Sequence, residues 1–398
     1  MEWEAAVRAL AGERLPAAIV DLDALDRNIG AARDLLDGRG KTLRVASKSV
    51  RHVGLLRRIL TGGGGRFRGL LCFALAEAAF LADEGFDDLL VAYPSVDAEG
   101  LAEVARRVRA GARIRLVADA PAHLAAYARA ALASGTVLGV VLDLDVAYEP
   151  LGLHLGVLRS PVRTPSALVD LATAVGRTEG LRFEGIMGYE AHLAGLPDRP
   201  PGRPALGTAL GALKRLAVPA VARLRRRAVD ALADAGWAPA LVNGGGTGSL
   251  ASTLDDAAVT EVTVGSGFLC SHLFDGYRDR PFEAAAYFAL AVSRVPERGV
   301  VTCLGGGYVA SGAPGPDRLP LPVAPEGLRY VAAEGAGEVQ TPLRVPPGGP
   351  ALAVGDPVVF RHAKAGELAE RFREYLLLRD GRVVAREPTY RGQGRCFL

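Results

Sequence analysis

The stretch Val137-Leu138-Gly139-Val140-Val141-Leu142 carries no polar side chain, so a strand formed from it is apolar on both faces. Strands of this kind are typical of parallel sheets covered by helices. Other β-rich runs flank it, and Ala- and Arg-rich segments of helical period separate most of them. The predicted strands are, in order, Leu43 to Lys48, Leu70 to Phe73, Asp88 to Tyr93, Arg113 to Ala118, Val137 to Asp143, Arg182 to Tyr189, Ala240 to Asn243 and Thr260 to Gly265.

Eight β/α units within about 250 residues predict a (β/α)8 TIM barrel, with an open doubly wound sheet as the alternative. We assign residues 16–280 to this barrel. After about Pro281 the helical period largely disappears, which predicts an all-β domain over residues 281–398, with residues 1–15 packing on it. The Pro- and Gly-rich segment Leu193 to Leu210 is predicted to be a long loop on the face where barrel active sites lie.

The composition is that of an ordinary globular protein, with 49% hydrophobic and 23% charged residues in 398. A formal charge of +3, with both signs interspersed, does not indicate nucleic acid or a membrane as a partner. The basic run Arg223 to Arg227 is predicted to form a solvated helix face. The absence of a secretory signal at Met1-Glu2-Trp3-Glu4, and of any long uncharged apolar run, predicts a cytoplasmic protein.

Lys48 closes the first predicted strand and is one of only four lysines among 47 basic residues. An amine, unlike a guanidinium, can lose its proton and attack a carbonyl carbon. A lysine at the end of an apolar strand in a chain so poor in lysine is therefore a candidate for a Schiff base. The alternative is an ordinary surface residue just beyond a strand.

Two glycine-rich turns follow the seventh and eighth predicted strands. Asn243-Gly244-Gly245-Gly246-Thr247-Gly248-Ser249 lets backbone N–H groups approach an anion and adds two hydroxyl donors. Gly265-Ser266-Gly267 opens a short helical run whose N-terminus would point to the same place. Loops at these two strands form the usual phosphate site of a barrel, so the pattern favours phosphate binding over tight turns alone.

An amine at the first strand and a phosphate cradle at the last two are neighbours on a closed barrel, as a pyridoxal phosphate site requires. The chain resembles the fold-type III pyridoxal-phosphate enzymes, specifically the D-threonine aldolases and D-serine dehydratases, whose barrel is of the alanine racemase N-terminal type. The resemblance covers most of the chain. The matching segments are Leu15 to Leu25, Arg44 to Lys48, Asp143-Leu144-Asp145 with Gly156-Val157, Asn243 to Gly248, Gly265 to Gly267 and His362-Ala363-Lys364.

The resemblance implies that Lys48 carries the cofactor as a Schiff base. Tyr189 would face the cofactor, although packing of its ring in the barrel mouth is the alternative, and His192 would be a nearby proton-transfer group. Arg159 would approach the polar edge of the cofactor, while the family's own arginine corresponds to His154. The remaining residues expected to bind the cofactor are Asn243, Gly245, Gly246, Thr247, Gly265 and Ser266.

His362-Ala363-Lys364 departs from the pattern of the metal-using family members, which have His, one spacer, and then Cys or Asp. A protonated lysine cannot ligate a metal ion. We therefore expect no divalent metal, with His362 as its ligand if one is present. The hypothesis is that the Lys364 ammonium takes the place of the cation while His362 handles protons. The alternative is an exposed Lys364 and a structural His362.

These expectations lead to a pyridoxal-phosphate-dependent lyase acting on β-hydroxy-α-amino acids, D-configured by resemblance. Aldolase cleavage of the Cα–Cβ bond would give an aldehyde and a small amino acid. The alternatives are a D-serine dehydratase type of elimination, an amino-acid racemase, and a non-catalytic pyridoxal phosphate carrier. The resemblance also implies a homodimer, with small amino-acid and aldehyde substrates as its ligands.

Overall fold

A computed structural model describes residues 3–200 and 203–397 of the chain. Eight parallel strands close into a barrel, which confirms the predicted (β/α)8 architecture and excludes the open sheet. Each strand overlaps one predicted apolar run. The barrel strands are β2 (Thr42–Ala46), β3 (Phe67–Cys72), β4 (Leu89–Val91), β5 (Ile114–Ala118), β6 (Leu138–Asp143), β7 (Leu181–Gly188), β8 (Leu241–Gly244) and β9 (Glu261–Val264).

The helices of the described residues surround the barrel or attach the second sheet to it. Several begin at side-chain caps: Asp97 accepts from Gly100 N at the start of α5, and Thr164 accepts from Ala167 N at the start of α7. The helices are α1 (Trp3–Ala9), α2 (Leu22–Asp34), α3 (Val53–Gly62), α4 (Leu75–Asp83), α5 (Ala98–Arg109), α6 (Pro121–Ser134), α7 (Pro165–Arg177), α8 (Ala191–Ala194), α9 (Pro204–Asp234), α10 (Leu250–Asp255), α11 (Ser266–Leu269) and α12 (Ala365–Ala369).

The predicted loop from Leu193 to Leu210 is wrong over its second half, because α9 already begins at Pro204. Proline fits the first turn of a helix, where its missing N–H is not needed, so here it starts a helix. By length and composition alone α9 could span a membrane, but a single helix of this kind is weak evidence for a membrane protein. Its buried residues, among them Val221 and Leu232, pack into the core that surrounds the barrel.

A side-chain layer inside the barrel fixes which residues reach its mouth. Ala46, Leu71, Leu90, Val117, Val141, Met187 and Leu241 form one buried cluster. Side chains two positions apart on a strand share a face. For five of these residues, the position two residues further along the chain therefore lies on the same interior face. These five positions are at the carboxyl ends of the strands. They are Lys48, Asp119, Asp143, Tyr189 and Asn243.

The second sheet has nine strands, and β1 belongs to it. The predicted boundary at residue 16 placed this strand with the barrel, but it pairs antiparallel with β10 and parallel with β16. Trp3 on α1 donates from Nε1 to Pro357 O at 3.0 Å, so α1 also contacts this sheet. The strands are β1 (Ala17–Asp21), β10 (Ala286–Glu297), β11 (Val300–Leu304), β12 (Leu321–Ala324), β13 (Arg329–Tyr330), β14 (Gln340–Arg344), β15 (Pro357–Arg361), β16 (Glu374–Arg379) and β17 (Arg382–Pro388).

Candidate active site

A cavity of about 910 Å³ lies at the carboxyl-terminal mouth of the barrel. Its walls come from the ends of the barrel strands and from residues 363–367, which follow β15 of the second sheet. Most of the site residues predicted from sequence line it together. They are Lys48, Arg159, Tyr189, Asn243, Gly245, Gly246, Thr247, Gly265, Ser266 and Lys364.

The Lys48 amine is held inside the cavity by a tyrosine. Its Nζ donates to Tyr93 Oη at 2.6 Å and lies 5.3 Å from the centre of that ring. The backbone that carries it is fixed by Arg51, whose Nε donates to Lys48 O at 3.1 Å. Arg51 in turn pairs with Glu370 at 2.6 Å, so the second sheet's side of the molecule supports the lysine. Sequence reasoning missed Tyr93, which follows β4 and reaches Lys48 from two strands away in the barrel.

The two glycine turns form a corner of the cavity beside Lys48. Gly245 has a φ of +88°, a conformation that favours glycine. A Cβ on Gly246 would lie 3.0 Å from Tyr189 Cε2, and one on Gly265 would lie 2.7 Å from the Ala46 Cβ. The Gly265 backbone therefore approaches Ala46 more closely than a side chain allows, whereas a Cβ at position 246 would require the Tyr189 ring to move slightly.

Hydroxyl groups complete this corner. Ser49 Oγ and Ser266 Oγ lie 3.1 Å apart, and Thr247 Oγ1 accepts from Gly267 N at 2.9 Å. The carboxylates that line the cavity lie elsewhere, at residues 119, 143, 145 and 367. A corner of glycines and hydroxyls without a lining carboxylate suits an anion such as a phosphate group.

A buried ion pair supports the glycine turn from behind. Glu190 accepts from Gly245 N at 3.1 Å and pairs with Arg225, which also contacts Asp256 at 3.0 Å. Burial alone would raise the pKa of Glu190, but the charge of Arg225 and a hydrogen bond from Thr253 hold that pKa below its usual value. The prediction that the basic run forms a solvated face is therefore wrong for Arg225, which is 2% exposed.

Tyr189, Arg159 and Asn243 occupy different parts of the cavity wall. Burial raises the pKa of Tyr189 to about 12, and the Arg159 guanidinium lies 5.7 Å from the centre of its ring. That guanidinium makes no ion pair with a described residue. Asn243 donates to Glu261 at 2.7 Å and to Thr263 at 2.9 Å, so its amide is bound within the barrel.

His362 and His192 do not line the cavity, contrary to the roles predicted for them. His362 is 2% exposed, its Nδ1 lies 3.0 Å from Ala286 O, and burial lowers its pKa to about 3. It lies just beyond the end of β15 and is directed into the protein. His192 is also buried, which lowers its pKa. A direct contact of either imidazole with a ligand in this cavity is therefore not supported.

Lys364 lies on the wall that residues 363–367 contribute. Its Nζ donates to Ser311 Oγ at 2.7 Å and lies 3.5 Å from Glu367 Oε1. The donors here do not fit a divalent metal, because an ammonium stands at the second ligand position. Among residues 3–200 and 203–397, no group of three or more His, Cys, Asp or Glu side chains could hold one.

Two carboxyl groups without an assigned role line the wall opposite Lys48. Asp119 follows β5 and lies 3.1 Å from His123 Nδ1, whereas Asp143 ends β6. Burial raises the pKa of Asp143 to about 7, and the charge of Asp119 contributes to this rise. The sequence motif contains Asp143, but only the alternation of residues along β6 shows that it faces the cavity.

Comparisons with known proteins show the family to which the chain belongs and the fold that it shares. The family model of the alanine racemase N-terminal domain matches residues 20–269. A 3-hydroxy-D-aspartate aldolase of Paracoccus denitrificans (strain Pd 1222) is 30% identical over 254 residues, which are 63% of this chain and 59% of that protein. The match therefore spans less than two thirds of the length of that relative.

Solved structures share the fold of the chain. A D-threonine aldolase from Filomicrobium marinum superposes with a TM-score of 0.80 at 23% identity, covering 96% of both chains. A D-threo-3-hydroxyaspartate dehydratase from Delftia sp. HT23 gives 0.76 at 20% identity, covering 96% of this chain and 98% of that one. Because the family model covers more than half of the sequence, the chain belongs to the family of the alanine racemase N-terminal domain.

Proposed function

We propose that this protein is a pyridoxal-phosphate-dependent lyase that cleaves the Cα–Cβ bond of D-configured β-hydroxy-α-amino acids. The observation that carries the proposal is the position of the Lys48 amine, in one cavity with the glycine and hydroxyl corner. The names of the relatives support the choice of substrate, because 3-hydroxy-D-aspartate and D-threonine are both β-hydroxy-α-amino acids.

The cavity residues fit pyridoxal phosphate. Lys48 would bind its aldehyde carbon, and the backbone of Gly245, Gly246 and Gly265 would hold its phosphate with the hydroxyls of Thr247 and Ser266. When bound, the cofactor would withdraw electrons from the substrate Cα. Tyr189 would pack against the ring, and the unpaired Arg159 guanidinium would hold a carboxylate or the cofactor's polar edge.

The residues of the chain also supply charge at the other side of the cavity. Lys364 would place an ammonium group where negative charge develops on the substrate oxygen. Tyr93 would keep the Lys48 amine directed into the cavity whenever it is not bound. His362 and His192 could act on the substrate only through another group, because neither lines the cavity.

Elimination of the β-hydroxyl, as in a dehydratase, is the second candidate function. The observation that favours it is Lys364, because an ammonium in the cavity could assist a departing hydroxide. A racemase has less support. It needs a second base on the opposite face of the cofactor, and the tyrosines that follow residue 281, at positions 287, 308, 330, 375 and 390, do not line the cavity.

The test combines a spectrum with product analysis. Purified protein reconstituted with pyridoxal phosphate should absorb near the band of the lysine-bound cofactor and should release an aldehyde from D-threonine. Lys48→Ala should lose both properties, because no other amine replaces Lys48 at this position. Lys214→Ala, which removes a lysine paired with Asp198 at 2.9 Å, is the matched control and should keep both.

Other products would assign a different reaction to the protein or refute the proposed site. Release of a 2-oxo acid from D-serine would identify the dehydratase, and conversion of D-alanine into its L-enantiomer would identify the racemase. Cofactor binding without turnover of D-threonine, D-serine or D-alanine would leave a pyridoxal phosphate carrier. An unchanged spectrum in Lys48→Ala would refute the site itself.

We also propose a cytoplasmic homodimer without a nucleic-acid or membrane partner. Leu151, Leu153 and Leu158, on the loop that supplies Arg159 to the cavity, are 107%, 61% and 83% exposed in the single chain. Apolar side chains grouped at a rim are typical of surfaces that a partner covers. Light scattering after size-exclusion chromatography would measure the mass, and a monomer at micromolar concentration would contradict the dimer.

A further inference from the structure

The proposed cleavage needs a group that accepts the proton of the substrate's β-hydroxyl. Neither histidine predicted from sequence lines the cavity, so the base must be sought among the side chains that do. Lys48 is needed to bind the cofactor and then to return a proton to the substrate Cα, and the high pKa of Tyr189, about 12, makes that phenol a poor base near neutral pH. His123 also lines the cavity, but its Nδ1 already lies 3.1 Å from Asp119, so the carboxyl groups of the cavity remain as candidates.

Asp143 is rigidly placed at the cavity wall. It shares the interior face of β6 with Val141, which is buried inside the barrel, so its side chain stands at the mouth. Its backbone pairs with Met187 on β7, and Ser160 Oγ donates to its carbonyl oxygen at 2.6 Å. Because its backbone is fixed by these two contacts, the Asp143 carboxyl group can contact one defined position on a bound substrate.

The Asp143 carboxyl group differs from its neighbours in having no partner. Asp145 accepts from Ala147 N at 2.9 Å and lies 3.3 Å from Arg163, and Glu367 accepts from Ser311 N at 2.8 Å. Asp143 makes no side-chain hydrogen bond or ion pair with a described residue. An unpaired, half-buried carboxyl group destabilises a fold and is typical of a functional position.

The charges around Asp143 adjust its proton affinity. Its pKa is raised to about 7, chiefly by burial and also by the negative charges of Asp119 after β5 and Asp145 after β6, whereas the charge of Arg159 lowers it. A carboxyl group with this pKa is an ion in a substantial fraction of molecules at neutral pH. It is also more basic than an ordinary aspartate, as a general base should be.

We infer that Asp143 is the general base that takes the proton from the β-hydroxyl of the substrate. This inference rests on the proposed lyase function. The O–H electron pair becomes the second bond of the aldehyde carbonyl as the Cα–Cβ bond breaks. The electron pair of that bond stays with Cα, where a bound cofactor would supply the electron-withdrawing group. Lys48 returns a proton to Cα, and Asp143 releases its own proton to solvent.

The test compares two reactions in one variant, Asp143→Asn, which keeps the shape of the side chain. Cleavage of D-threonine should fall by about a hundredfold or more. Exchange of the D-alanine Cα proton in D2O should stay at the wild-type rate, because D-alanine has no β-hydroxyl. The cofactor absorbance should also stay unchanged. Asp170→Asn, at an exposed position of α7, is the matched control for both reactions.

The pH dependence of kcat for cleavage is a further test, because a purely structural role of Asp143 would not change it. Because Asp143 acts as the ion, kcat for cleavage should rise with pH through a value near 7 in the wild type. The rise of kcat with pH should be absent in Asp143→Asn.

Three outcomes would overturn the inference. Cleavage by Asp143→Asn within about threefold of the wild type would remove Asp143 as the base and leave the lyase standing. Parallel loss of cleavage, exchange and cofactor absorbance would assign Asp143 a structural role. A wild type that cleaves no D-β-hydroxy-α-amino acid would refute the proposed function and this base together.

Discussion

Lys48 and Lys364 are two amines in one cavity with different partners. Lys48 contacts the phenol of Tyr93, whereas Lys364 contacts the hydroxyl of Ser311 and the carboxylate of Glu367. The sequence could single out both, because lysine is scarce in this chain and its chemistry is distinctive. It could not place His362, since the direction of a side chain just beyond a strand depends on where that strand ends. The position of Asp143 in the cavity wall was equally hidden, because a motif does not tell which strand positions face inward.

Lys364→Met should lower kcat for D-threonine cleavage by about a hundredfold with little change in KM. The reason is that the ammonium group would act on charge that develops only during the reaction. Steady-state kinetics at saturating cofactor measures both constants, with Lys214→Met as the control for loss of an ion-paired lysine. A large rise in KM with an unchanged kcat would instead mean that Lys364 only binds the substrate.

At the scale of elements, the barrel strands were predictable because each lies in a short run rich in β-forming residues with a turn at its end. The glycine corner was predictable for the same reason, since two turns at neighbouring strands must meet on a closed barrel. The start of α9 was not predictable, because proline is compatible both with a loop and with the first turn of a helix.

Gly265→Ala should destabilise the protein by about 1–3 kcal/mol and weaken cofactor binding. The added Cβ would lie 2.7 Å from the Ala46 Cβ and 2.8 Å from Ser49 Oγ, so β2 and β9 would have to move apart. Urea unfolding and cofactor titration measure the two effects. Gly211→Ala on α9, where a Cβ would meet nothing within 4 Å, is the control. Equal affinity and stability in both variants would contradict the close approach.

On the scale of the whole molecule, a buried carboxyl group links α4 to the segment after β17. Glu77 accepts from Phe73 N at 2.7 Å and from Tyr390 Oη at 3.2 Å across 313 positions of sequence. Burial raises its pKa from 4.5 to about 7, against the hydrogen bonds that lower it. Between pH 4.5 and about 7, the folded protein therefore keeps a proton on Glu77 that the unfolded chain has already released.

The stability that Glu77 contributes should be complete below pH 4.5 and should be lost as pH rises towards 7. A shift of this size corresponds to about 3 kcal/mol. Glu77→Gln, which cannot ionise, should remove this part of the pH dependence. Urea denaturation between pH 5 and pH 8 would measure the free energy of unfolding of both proteins. Parallel pH profiles would show that Glu77 titrates normally.

The placement of β1 could not be read from the sequence, because its pairing with β10 and β16 joins distant parts of the chain. During synthesis, the ribosome releases this strand long before either partner exists. Ile19 and Val20, which are 0% exposed in the folded protein, must then wait in solvent or on a chaperone. Residues 363–367 emerge after β10 and before β16, so vitamin B6 could meet a complete pocket only once this late segment has left the ribosome.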